Sequence, residues 1–157
     1  MKKALYILLV FGIIVSCGKT KTVISIDQFV TRVDMQTDLT YSISEYIIED
    51  LNGEIVGGTD VYELTNENDE IFRIIVDEVT PNKNPVNYTF YFENKKLIYS
   101  KIIKFDESGT DTIINSEYYF KGAEMIKQVN KHENGIEPEE VRQLSDFYLV
   151  YGKDELE

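Results

Sequence analysis

The sequence predicts an α+β fold that is mainly β: an antiparallel meander sheet of repeated hairpins, covered by an N-terminal and a C-terminal helix. Three observations carry that prediction. A strand–turn–strand unit recurs at a 28-residue step, as Val61-Tyr62-Glu63-Leu64, Thr89-Phe90-Tyr91-Phe92 and Glu117-Tyr118-Tyr119-Phe120. Period-two alternation runs through Tyr88, Phe90 and Phe92 and through Ile114, Ser116, Tyr118 and Phe120, the spacing that puts alternate side chains on one face of a strand. Helix signals stand on either side of the repeats.

The chain opens with Lys2 and Lys3, carries no charge from Ala4 to Val15, and closes that run at Ile14-Val15-Ser16-Cys17. An export signal has a basic start, an apolar core of roughly 7–15 residues and a small-residue cleavage site. A membrane-spanning helix needs about 20 apolar residues, and Gly18-Lys19-Thr20-Lys21 stops this run short. Residues 14–17 resemble the lipobox of bacterial lipoproteins. The resemblance implies loss of residues 1–16, a diacylglyceryl group on the Cys17 sulfur and acylation of its new amine. Buried acyl chains contribute about 0.8 kcal/mol per CH₂, so three chains hold a protein in a membrane lastingly. Gly18 follows the cysteine, where lipoproteins retained at the inner membrane of enteric-type bacteria carry Asp. The resemblance therefore points to the outer membrane, on its periplasmic or surface side. The alternative is an ordinary secretory signal with an incidental cysteine. Residues 17–24 are expected to be the lipidated Cys17 and a tether, and residues 25–157 one β-rich domain.

Ser25-Ile26-Asp27-Gln28 has the form of a capping box, in which the Ser and Gln side chains each satisfy a backbone N–H. Ile26, Phe29, Val30 and Val33 then recur at helical spacing, which predicts a helix from Ile26 to about Met35. Residues 39–50 fit a helix or a strand. Asn52-Gly53 is a turn signal. The three hairpins follow, with turns at Thr65–Glu70, Glu93–Lys96 and Lys121–Glu124. Pro138, with Glu139 and Glu140 at the positive end of the dipole, predicts a final helix. Val141, Leu144, Tyr148 and Tyr151 form its apolar stripe, and Gly152 suits its C-terminal cap.

The chain has 16 Lys and Arg against 28 Asp and Glu. Without Lys2 and Lys3 that is 14 against 28, a net of −14. Nucleic-acid phosphates call for Lys/Arg patches, so this balance argues against a nucleic-acid partner. It fits either solubility through self-repulsion or a basic partner at an acidic face. About 140 residues without the signal make one domain. With Cys17 as the only cysteine, that domain has no internal disulfide and depends on its core.

Little in the sequence carries chemistry. Gly18-Lys19-Thr20 lacks the upstream glycine of a phosphate-binding loop, whose place is taken by Ile13. His132 is the only histidine and lies in a polar, turn-like stretch. No metal site, cofactor or catalytic group is expected. The acids at Glu49-Asp50 and Glu67-Asn68-Asp69-Glu70 give only fragments of a calcium loop. Asp111-Thr112-Ile113 resembles a three-residue O-glycosylation acceptor, centred on Thr112. Tyr91, Tyr99 and Tyr119 are expected on the face opposite the core Phe residues, as an exposed aromatic contact surface.

The hairpin Tyr91-Phe92-Glu93-Asn94-Lys95-Lys96-Leu97-Ile98, with its looser copy from Tyr119-Phe120 to Met125-Ile126, resembles those of small bacterial lipoproteins built from a curved antiparallel sheet on one or two helices. The shared motif is a structural hairpin and carries no catalytic residue over. The leading expectation is a non-enzymatic, lipid-anchored envelope module that binds another envelope protein or aids an assembly. The alternative is a lipid-anchored carrier that holds a small apolar or sugar ligand between sheet and helices.

Overall fold

The computed structural model describes residues 22–132 and 135–154, with side chains described as far as Val150. It is mainly β, with one open antiparallel sheet of seven strands and two helices. In chain order the elements are helix α1 (22–35), strands β1 (Thr40–Glu49), β2 (Ile55–Thr65), β3 (Ile71–Val79), β4 (Val86–Glu93), β5 (Lys96–Phe105), β6 (Thr112–Lys121) and β7 (Glu124–Asn130), and helix α2 (Pro138–Asp154). Each strand pairs with the one before it, so the sheet is a meander with β1 and β7 at its edges.

The turns follow from local chemistry. Asn94 and Lys95 both take positive φ, at 52° and 61°. Two such residues between Glu93 and Lys96 make the primed turn that matches strand twist. Residues 39–50, ambiguous in sequence, are settled by pairing: β1 runs alongside β2 from Thr40↔Thr65 to Glu49↔Ile55.

Both helices exceed their expected bounds. Residues 22–24 are helical rather than tether, and Ser25 and Gln28 lie inside α1 instead of capping it. Val23 is the reason, because it extends the buried stripe one turn before Ile26. At the other end α2 continues through Gly152 to Asp154, so Gly152 is not its cap.

The repeat also needs correcting. Register places Tyr91, Tyr99 and Tyr119 directly opposite one another, so β4 and β6 are related by 28 residues as expected. Leu64 pairs with Arg73 and Arg73 with Tyr91, which relates β2 to β4 by 27. Turn lengths and bulges set register, and a one-residue offset moves a side chain to the other face. Leu64 therefore shares a face with Tyr91 and not with Phe92.

The sheet is apolar on both faces. One holds Ile74, Phe90, Phe92, Tyr118 and Phe120, clustered with Val141 and Tyr148 of α2. The other holds Leu64, Tyr91, Ile98, Tyr99 and Tyr119, clustered with Ile26, Phe29 and Val33 of α1. Phe92 and Phe120 are each 1% exposed in the first cluster, as equivalent positions of successive hairpins. Where α2 nears β5, Ser100 and Ser145 are both fully buried, small enough to let helix and sheet approach.

Candidate functional site

The three tyrosines expected as a contact surface are buried. Tyr91, Tyr99 and Tyr119 are 5%, 9% and 5% exposed. They belong to a lateral row across five strands, Arg73, Tyr91, Tyr99, Tyr119 and Lys127. Tyr99 meets Tyr91 and Tyr119 edge-on, with ring centres 5.7 and 5.1 Å apart. The Lys127 ammonium lies 4.9 Å above the Tyr119 ring. At the end of α1, Asp34 Oδ1 accepts hydrogen bonds from the Tyr91 hydroxyl at 2.7 Å and from Arg73 Nη1 at 2.6 Å. Burial is the main cause that pushes all three phenols above their ordinary pKa, reinforced by Asp34 at Tyr91, Glu117 at Tyr99 and Asp27 at Tyr119. The physical reason for the correction is the alternation itself. In β4 and β6, Phe90, Phe92, Tyr118 and Phe120 point to one face and Tyr91 and Tyr119 to the other, so each face is apolar enough to need cover.

Exposed apolar side chains gather elsewhere, mainly on the β1–β2 hairpin, with Ile24 of α1 and Phe147 and Val150 of α2 also exposed. Tyr41, Ile43 and Ile47 are exposed along one face of β1. Leu51 at the β1–β2 tip is fully exposed, and so are large parts of Ile55 and Val56. Because β2 meets β3 only from Gly58 onward, this hairpin end overhangs the third strand. Its tip is well formed. Asp50 Oδ1 accepts the backbone N–H groups of Asn52 at 2.8 Å and Glu54 at 3.0 Å. Those two bonds, Glu54 first, hold the Asp50 carboxyl below its usual pKa. At the base, a side chain on Gly57 would collide with the Val79 carbonyl, and one on Gly58 would come within 2.7 Å of the Tyr46 carbonyl. The opposite edge differs. β7 keeps Met125, Ile126 and Val129 partly buried and presents Lys127.

A row of acids crosses the face of β1 that carries Tyr41. Register sets Glu45 opposite Asp60 and Asp60 opposite Asp77. Asn87 Nδ2 donates to Asp77 Oδ1 at 2.6 Å, and the Tyr62 hydroxyl to Asp60 Oδ2 at 3.4 Å. Among the described residues, no group of three or more His, Cys, Asp or Glu is placed to hold a metal ion. In the Glu67–Glu70 turn, the carboxamide of Asn66 accepts the N–H groups of Asn68 and Glu70, a turn motif of its own.

His132 is exposed in the bend after β7. Thr112 is half-buried as the first residue of β6, opposite Phe105, rather than in the preceding loop. Cys17 and the export-signal residues lie outside the described residues, and no helix among the described residues is long and apolar enough to cross a membrane.

Two depressions lie between sheet and α2. One of about 260 Å³ runs between the β4–β5 and β6–β7 tips and Arg142 of α2. The other, of about 150 Å³, is lined by Tyr46, Thr59, Phe147 and Tyr148. Both fall below the roughly 300 Å³ at which small-molecule sites begin. The sequence does not single out the β1 edge, because residues 39–50 fit either a helix or a strand. Its signal was the alternation of Tyr41, Ile43 and Ile47 across a stretch without Lys or Pro. Compared with protein-family models, curated proteins and solved structures, the chain has no match.

Proposed function

We propose that this chain is a non-enzymatic, lipid-anchored protein of the bacterial envelope that docks another protein through its β1 edge. The observation that carries this reading is the contrast between interior and edge. Both sheet faces are filled by side chains of the sheet and one helix each. Apolar side chains are left bare along β1 and its hairpin. In this reading α1 and α2 are permanent covers of the sheet. A carrier would instead need a large apolar space under a helix; the two depressions beside α2 are small, and the one of about 370 Å³ at α1 lies open on the helix's exposed residues Ile24, Asp27, Gln28, Thr31 and Arg32. An unpaired strand edge offers a ladder of backbone donors and acceptors, which a partner strand completes while its side chains take the flanking pockets. The anchor on Cys17 would hold that edge at the membrane and restrict it to envelope partners.

The test is a charge placed on the edge. Ile47→Lys alters an exposed side chain, and Lys on an edge strand opposes pairing. The full-length variant should fold and fractionate with membranes as the wild type does, yet lose its complex in native gels of detergent-solubilised envelopes. A wild-type chain that migrates alone in those gels, or an Ile47→Lys complex of unchanged size and amount, would overturn the reading.

A further inference from the structure

We infer that the strand which completes β1 is β1 of a second copy of this chain, paired antiparallel about Ser44. This rests on the docking reading above and names its partner.

The strand is complementary to itself. Two identical strands joined by a two-fold axis normal to the sheet keep each residue on its own face, so they pair residues of equal parity. Centring on Ser44 sets Tyr41 opposite Ile47 of the second copy, Ile43 opposite its Glu45, Ser42 opposite its Tyr46 and Thr40 opposite its Ile48. The exposed Tyr41 and Ile47 thus cover each other twice, once on each side of the axis. Neighbouring centres do worse. Centring on Glu45 opposes two carboxylates, and centring on Ile47 opposes Glu45 to Glu49. Centring on Ile43 or Tyr46 shortens the ladder. Ser44 is the midpoint of the regular part of β1, which runs from Thr40 to the irregularity between Ile48 and Glu49. The pairing also runs the Leu51 tip alongside the segment that carries the exposed Met35 of the second copy.

Nothing on the edge blocks such pairing. Between Thr40 and Ile48 there is no Lys, Pro or Gly and no bulge, and the one charged residue, Glu45, falls opposite Ile43 of the second copy instead of opposite another acid. The opposing force is long-range, since each chain without residues 1–16 carries a net charge of −14. Salt screens that repulsion over a Debye length of about 8–10 Å, so the dimer strengthens as salt is added. A basic partner strand would be weakened by the same change.

Disulfide trapping in intact envelopes tests the register. Directly opposed Cα atoms lie about 4.5–5.5 Å apart, inside the roughly 4.4–6.8 Å that a disulfide spans. In full-length Ser44→Cys, mild oxidation should give a linked dimer about tenfold above wild type, whose only cysteine is Cys17. Ser42→Cys should not, because the two copies of residue 42 lie about 13 Å apart along the strand. Adding Ile47→Lys to Ser44→Cys should abolish the link, while circular dichroism shows the sheet intact. A Ser44→Cys dimer no stronger than wild type's, or a Ser42→Cys dimer as strong as Ser44→Cys, overturns the pairing. If that happens while Ile47→Lys still removes the native complex, the edge docks a different protein and only the partner is wrong. If Ile47→Lys also leaves the complex in place, the docking reading fails with it.

Discussion

Tyr99→Ser separates a structural role for the tyrosine row from a surface role. Tyr99 is 9% exposed, between Tyr91 and Tyr119 and beneath α1. Truncating a buried aromatic side chain typically costs about 3–5 kcal/mol. The hydroxyl and residual exposure put Tyr99 at the lower end, about 3 kcal/mol. A surface substitution stays within about 0.5 kcal/mol, so the two roles differ by roughly sixfold. Urea denaturation followed by far-ultraviolet circular dichroism reads the difference. With a denaturant slope of about 2 kcal/mol per M, the midpoint should fall by about 1.5 M. A shift below about 0.25 M, with the slope unchanged, would refute the burial of the row under α1.

Phe92→Ala and Phe120→Ala should each cost about 3–5 kcal/mol, a large share of a domain stability of roughly 5–15 kcal/mol; an unchanged melting temperature in either would show that the two hairpins are not equivalent. The raised phenol pKa of Tyr91, Tyr99 and Tyr119 stabilises the fold below the ordinary value of about 10 and is lost as pH rises past it. Part of the tyrosinate absorbance should therefore appear together with alkaline unfolding, and complete ionisation of a still-folded protein would contradict the burial. Cys17→Ser should release the domain from membranes or leave an uncut precursor. Normal fractionation at the wild-type mass would remove the lipid anchor from the account.

The hairpins were the most legible part of the sequence. Their signals are local: alternation, and turns such as Glu93–Lys96 closed by two positive-φ residues. Residues 39–50 were not legible as a strand, because Leu39, Ile43, Tyr46 and Ile47 also fit helical spacing. Pairing with β2 decided that case, a contact distant in sequence. The tyrosines show a different limit. Alternation showed correctly that Tyr91 and Phe92 face opposite ways, but not that both faces would be apolar enough to need a helix. Once α1 and α2 are placed on different faces, the expected aromatic surface becomes core, and the exposed surface shifts to β1. The offset of the first repeat was hidden as well, because register depends on bulges and turn lengths that similar residues do not reveal.

The central claim is that this protein meets its partner at one sheet edge and not the other. A photo-crosslinking amino acid placed singly at Ile43 and Ile47 on β1, and at Lys127 on β7, tests it in intact cells. The account predicts discrete adducts of one mass from both β1 positions and none from Lys127. Equal labelling at both edges, or adducts from Lys127 alone, would contradict it.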